Sequence, residues 1–227
     1  MQGKQISWSG GIPNPQIGLA LDRRGLYEFA KRLIDLILSV LGLLIATPFA
    51  LLIWASIRLE SRGPALFRQK RIGRFGVPLR ILKFRTMVHR ADEDFHREHV
   101  DQMAASNSEL LTLRLDNDPR ITRVGRFLRK WSLDELPNLW NVLNGEMSIV
   151  GPRPLVPYEV ERLGDDALRR FTVKPGVTGL AQVNGRLDVS SESRTDYDLL
   201  YVRDCSHRLD TQILARTPMT LLRRRGV

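Results

Sequence analysis

Residues 36–57, LILSVLGLLIATPFALLIWASI, form an uncharged run of the length that spans a bilayer core as a helix, roughly 20 residues. Water is the wrong solvent for such a segment, so the chain is expected to fold against a membrane. A helix of a soluble core is disfavoured because the run has no polar face. A secretory signal is disfavoured because it begins far from Met1 and no small-x-small cleavage site follows. Arg23, Arg24, Lys31 and Arg32 precede the run, and Arg58, Arg62, Arg68, Lys70 and Arg71 follow it. Positive flanks stay on the cytoplasmic side, so a straight crossing would export one cluster. Pro48 removes a helix hydrogen bond and Thr47 can help re-satisfy the freed carbonyl, so a re-entrant helical hairpin is expected, with a kinked spanning helix as the competing reading.

Around this segment the chain divides into residues 1–26, a flexible lead-in; 27–62, the membrane helix; and 63–227, one compact domain. Residues 65–87 alternate apolar and basic side chains on both sides of a turn between Gly73 and Gly76, the pattern of a β-hairpin. Its period of two places Lys83 and Arg85 on one face as phosphate ligands. The interleaved Phe67, Phe75 and Phe84 also fit base stacking on single-stranded nucleic acid. Beside a membrane segment, lipid headgroups or a phosphorylated substrate are the better partners. The net charge of +10, from 35 Lys and Arg against 25 Asp and Glu, demands an anionic partner of some kind. Cys205 is the only cysteine, which rules out an intramolecular disulfide and suits a reducing compartment. His89, Asp92, His96 and His99 have spacings that could share a helix face, but the mixed charges around them read as a solvated surface rather than a metal site.

The densest chemistry lies in residues 132–154, SLDELPNLWNVLNGEMSIVGPRP. Asp134 and Glu135 follow Arg129 and Lys130 and stand in or just before the first turn of a helix, where unpaired N–H groups favour an ionised acid or a phosphate. Ser132 and Glu135 also have the form of a capping box. Arg153, fixed between Pro152 and Pro154, is aimed as a phosphate clamp. Residues 158–171 are expected to be helical. In VKPGVTGLAQVNGR, glycines permit close approach of a ligand, and Gln182, Asn184 and Arg186 offer donors. Residues 196–225 have helical periodicity and end in Arg223, Arg224 and Arg225, as a helix lying on a membrane surface would.

Four ordered motifs, KRLIDLILSVLGLLIATP, LKFRTM, NDPRITRVGRFLRKWSLDELPNLWNVLNGEMSIVGPRP and VKPGVTGLAQVNGR, make the chain resemble the bacterial sugar transferases that act as monotopic polyprenyl-phosphate phosphoglycosyl transferases. The resemblance implies an α+β, predominantly helical fold: a re-entrant membrane helix bent at Thr47 and Pro48, where the family has Ser-Pro, plus a cytoplasmic catalytic domain with a small β-hairpin and interfacial amphipathic helices. It implies a bacterial inner-membrane enzyme with its active site on the cytoplasmic face. It further implies transfer of a sugar-1-phosphate from a UDP-sugar to polyprenyl (undecaprenyl) phosphate, with Asp134 as covalent nucleophile and Glu135 as ligand of Mg2+; the charge such a reaction develops on phosphate oxygens calls for cations, and Lys83, Arg129 and Arg153 are expected to neutralise it. Membrane lipid is a partner, nucleic acid is not, and a homodimer stands open. The reading from a different class is a non-enzymatic basic membrane adaptor.

Overall fold

In a computed structural model, which describes residues 18–88, 120–161, 163–185 and 191–223, the apolar run lies inside one long helix, α1 (Gly18–Glu60). A stripe of positions three or four apart meets the rest of the protein, as one face of a helix must. Asp35 and Ser39 are buried, Gly42 lies against Leu139, and Ala50, Ile53 and Ile57 pack with Ala65, Phe84 and Leu128. The opposite face is bare: Leu44, Ile45 and Leu52 are each about two-thirds exposed, at 67%, 69% and 67%. An apolar surface of that extent on a long helix marks contact with lipid or protein.

Pro48 sits inside α1 without ending it, so the expected two-armed hairpin does not appear as separate helices. Thr47 Oγ1 donates to the Leu43 carbonyl at 2.6 Å. The carbonyl deprived of its donor by Pro48 is Leu44's, one residue on, so Thr47 back-bonds its own turn instead of repairing the proline's.

Both ends of the apolar run are tied to the same body by polar bonds. Near the start, Arg32 donates to the Val142 and Leu143 carbonyls at 2.6 and 2.7 Å, a cation on the last carbonyls of helix α3 (Asn138–Leu143). Asp35 Oδ1 accepts from the Ser148 hydroxyl and the Ile149 N–H at 3.1 and 2.9 Å. At the far end, the Glu60 carboxylate accepts from the Arg123 and Val124 N–H groups at 2.6 and 3.0 Å. Those are the open donors of helix α2 (Arg123–Trp131). Arg85 closes the joint from the other side, donating to the Ser61 and Arg62 carbonyls at 2.8 Å each and to the Ser61 hydroxyl at 2.9 Å.

Strands β1 (Leu66–Ile72) and β2 (Pro78–Phe84) form the expected antiparallel hairpin, with Leu66 opposite Phe84 and Ile72 opposite Pro78. Its cationic side is not uniformly outward, because Lys83 shares the inner face with Leu79 and Ile81, which pack on Val142 and Met147. Asn141, fully buried in α3, pins that helix to β2: its amide donates to the Arg80 carbonyl at 2.8 Å and its Oδ1 accepts from the Leu82 N–H at 3.1 Å.

A second, parallel pair joins β3 (Ser148–Val150) to β4 (Gly176–Thr178), unannounced by strands of three residues each. Helix α4 (Pro157–Val160) is a single turn, and a 3₁₀ segment (Asp165–Thr172) follows it. The single helix expected over residues 158–171 is thus broken, with Gly164 as N-cap of the second piece. Helices α5 (Leu180–Gly185), α6 (Ser191–Asp204) and α7 (His207–Arg223) complete the fold. The periodic C-terminal stretch is two helices, parted at Cys205 and Ser206. Val150, Leu180, Tyr201 and Ile213 close a core between them and β3. The lead-in's first 17 residues, the histidine-bearing stretch after Val88 and the arginines Arg224 and Arg225 lie outside the described residues.

Gly125, in the first turn of α2, faces the backbone of Thr86, whose carbonyl accepts the Thr122 N–H at 3.1 Å. A methyl group there would run into that carbonyl. Gly125→Ala is therefore expected to cost about 3 kcal/mol, the upper part of the range for overpacking, measured as a lowered midpoint of denaturant unfolding in detergent micelles.

Candidate active site

Helix α2 ends at Ser132, whose φ of 54° and ψ of 24° place a non-glycine residue in the left-handed region. Its N–H closes α2 by bonding the Arg129 carbonyl at 3.2 Å. Ser132 is also the N-cap of the next segment, where its carbonyl accepts the Glu135 N–H at 3.2 Å, but its side chain makes no cap bond there, so the capping-box expectation is corrected: the backbone of Ser132 joins the two segments without the side-chain exchange. Such a conformation costs on the order of 1–3 kcal/mol and is held only where surrounding structure enforces it. Here it turns the chain sharply into the 3₁₀ turn Leu133–Glu135, which delivers Asp134 and Glu135 just ahead of α3, with Pro137 as that helix's N-cap.

The turn rests against β2. Lys83 Nζ lies 2.8 Å from Glu135 Oε1 and 4.0 Å from Asp134 Oδ2. Arg153 Nη1 lies 3.4 Å from the same Glu135 oxygen. The side chains of Lys83, Asp134 and Glu135 retain only 15%, 15% and 13% of their exposure, whereas Arg153 retains 40%. Burial pushes the Lys83 ammonium below the ordinary lysine value, and the Arg153 charge adds to that, while Glu135 and Asp134 oppose it. Four of the residues singled out in the sequence thus converge.

Arg85 does not join them. Arg85 lies just past β2 and is nine-tenths buried with its donors on the end of α1; it is a helix cap, which corrects its assignment as a phosphate ligand. Arg129 Nε donates to Thr86 Oγ1 at 2.9 Å, at the edge of the cluster. Gln182 is buried in α5 and lines a cavity of about 200 Å³ that also touches Glu135. Asn184 donates to the Leu180 carbonyl of its own helix at 3.0 Å, and Arg186 lies outside the described residues.

The structure adds residues that sequence reasoning passed over. Arg71, counted there only as a flanking cation, lines a polar pocket with Lys83, Glu135, Asn138 and Arg153. Burial, then the nearby Arg153, pushes its guanidinium down to about 10. Asn138 Oδ1 is buried in this pocket without a hydrogen-bond partner. Behind Arg153, Arg170 Nη2 donates to the Arg153 carbonyl at 2.9 Å and pairs with Asp198 Oδ2 at 2.6 Å, with both side chains almost wholly buried. The pair stiffens the Pro152 to Pro154 loop from beneath. Neither partner carries a motif signal, since burial of a charged pair is settled by contacts across the fold.

Among the described residues no three His, Cys, Asp or Glu side chains gather. What the pocket does hold is hard oxygen: the Glu135 carboxylate and Asn138, whose Oδ1 is buried and partnerless, with Asp134 next to Glu135 in the chain. Magnesium takes one or two carboxylates and completes its shell with water and substrate phosphates, so the donor set fits that ion.

A long helix with a bare apolar face is thus docked on a small α+β body that sets paired carboxylates among cations. The profile of the family described as "Bacterial sugar transferase" matches residues 26–224, and the chain belongs to that family. It is 43% identical over 199 residues to the undecaprenyl-phosphate galactose phosphotransferase of Salmonella typhimurium, covering 88% of this chain and 42% of that protein. To the exopolysaccharide production protein ExoY of Rhizobium meliloti it is 41% identical over 200 residues, 87% of each. To the UDP-glucose:undecaprenyl-phosphate glucose-1-phosphate transferase of Escherichia coli it is 39% identical over 201 residues, 85% of this chain and 40% of that protein. The chain spans less than half the length of the Salmonella and Escherichia proteins.

Asp198 tests the buried pair. Burial outweighs the attraction of Arg170 and raises its carboxyl from 3.8 to about 6. Between those values the native state binds more protons than the unfolded chain, so unfolding free energy falls as pH rises through that window. Asp198→Asn is expected to flatten that slope, measured by denaturant unfolding from about pH 4 to about pH 7.

Proposed function

We propose that this protein transfers a sugar-1-phosphate from a UDP-sugar to polyprenyl phosphate at a membrane surface, the first lipid-linked step of surface polysaccharide assembly. The single observation that carries the reading is the paired carboxylates Asp134 and Glu135 in a half-buried turn against Lys83 and Arg153. The names of the three relatives, two of them undecaprenyl-phosphate sugar transferases and one an exopolysaccharide production protein, support the same chemistry.

In the first half-reaction a carboxylate oxygen of Asp134 attacks the β-phosphorus of the UDP-sugar. The bond from that phosphorus to the bridging oxygen breaks, UMP leaves with the electron pair, and the sugar-phosphate stays on Asp134. In the second, a phosphate oxygen of polyprenyl phosphate attacks the same phosphorus, and the Asp134 carboxylate leaves to be used again. Lys83 and Arg153 balance the charge on the phosphoryl oxygens, and the burial of Lys83 makes its charge act more strongly than it would in water. Arg71 extends the cationic wall. Magnesium, held by Glu135 with Asn138 and the substrate phosphates, would supply further neutralisation when bound.

The apolar face of α1 lies in one leaflet, bent at Pro48, and the body stays on the cytoplasmic side of the inner membrane. What supports this placement is the tying of both ends of the apolar run to one body, through Arg32 and Asp35 at one end and Glu60 at the other. A helix so fastened keeps both basic flanks on one side.

Protein purified in micelles and given a radiolabelled UDP-sugar that it turns over is expected to retain label covalently. Asp134→Asn should lose the label and reduce UMP release by about a thousandfold or more. An active wild type that never carries label would sink the covalent step, and no UMP release from any UDP-sugar would return the adaptor reading. Because burial lowers the Lys83 pKa, activity should decline with rising pH below the ordinary lysine value of about 10.4. Lys83→Arg should keep whatever activity it has to higher pH, checked by kcat/KM profiles of both proteins.

A further inference from the structure

Glu135 stands between two unlike spaces. On one side is the polar pocket of Arg71, Lys83, Asn138 and Arg153. On the other is the cavity of about 200 Å³, walled chiefly by Leu136, Leu139, Val177, Val183 and Leu221, with Thr217 and Thr220 from α7. The threonine hydroxyls turn away from any ligand: Thr217 donates to the Ile213 carbonyl at 2.8 Å and Thr220 to the Arg216 carbonyl at 3.1 Å. With those hydroxyls engaged, the surface of the cavity is mostly hydrocarbon.

The cavity is smaller than the clefts of about 300–1,000 Å³ that enclose drug-sized ligands, so it takes part of a molecule. It is also the wrong environment for a diphosphate or a nucleotide. Its position points to lipid. Leu139 forms one wall and also touches Gly42 of α1, while Leu136 packs on the cluster where Ala50 and Ile53 of α1 meet Phe84 and Leu128. The two leucines therefore separate the cavity from the membrane helix on either side of Pro48. On α7, Met219 and Leu222 are 57% and 46% exposed and lie on the side of the helix opposite Thr217, Thr220 and Leu221, as a period of 3.6 requires, so α7 also carries apolar side chains on its outer face.

Resting on the transfer reaction above, we infer that this cavity holds the isoprenoid units nearest the phosphate of the lipid acceptor. Its phosphate then reaches the Glu135 side of the cavity while the rest of the chain runs out past α7 into the bilayer. The apolar seat selects acceptors with a branched hydrocarbon directly behind the phosphate.

Two variants that fill the cavity from different walls test this: Val183→Phe and Thr220→Leu. Each is expected to raise the KM for undecaprenyl phosphate in micelles by about tenfold or more and leave the KM for the UDP-sugar unchanged. A rise in the UDP-sugar KM with the lipid KM unmoved would overturn the assignment, as would two folded variants with wild-type constants. A measurement on the wild type does not depend on either variant folding. A photoactivatable farnesyl phosphate analogue should crosslink to residues of the cavity wall, and crosslinks confined to other surfaces would overturn the proposal. If the wild type released no UMP, the transfer reading would fail separately, and the crosslink would still report where the isoprenoid sits.

Discussion

The rest of this structure depends on an apolar helix that is fastened by polar bonds at both ends. Hydrocarbon contact alone would let α1 slide or roll, because dispersion is non-directional. Arg32 on the end of α3, Asp35 on β3 and Glu60 on the start of α2 remove that freedom. Two of these three ties use helix termini, where unpaired backbone groups must find partners in any case. The membrane element and the site are thus referenced to the same pieces of backbone: α3 begins beside Asp134 and Glu135, and α2 ends beside them.

From that frame the site needs little else. Asn141 holds α3 to β2, so the strand carrying Lys83 and the turn carrying the carboxylates cannot drift apart. Arg170 and Asp198 fix the backbone at Arg153. A buried ion pair is a poor source of net stability, and its value here is positional, setting the height of a partly exposed guanidinium over the pocket.

Features encoded in a short window were legible in the sequence. The apolar run was visible from its length, the hairpin from its alternation about Gly73 and Gly76, and the carboxylate pair from its neighbours. Features that depend on remote partners were not. Arg85 has the same spacing signal as Lys83, yet its acceptors are carbonyls 23 and 24 residues earlier at the end of α1, and nothing in a period of two distinguishes the cases. Strands β3 and β4 are too short for any pattern, and they pair Ser148 with Gly176 and Val150 with Thr178, far apart in the chain. The left-handed Ser132 was hidden because serine is ordinary at the start of a helix and uncommon in that conformation. Arg186 and the histidines beyond Val88 lie outside the described residues and add nothing to this comparison.

The ties of α1 also set an order of events during synthesis. Lys31 and Asp35 leave the ribosome long before their partners, which lie 179 and 113–114 residues further along the chain. Proteins emerge at about 5–20 residues per second, so for many seconds Lys31, Arg32 and Asp35 are without the partners they have in the finished fold. The ties of α1 can therefore close only once the chain as far as Asp210 has been made, so this helix is held in its final place late in synthesis.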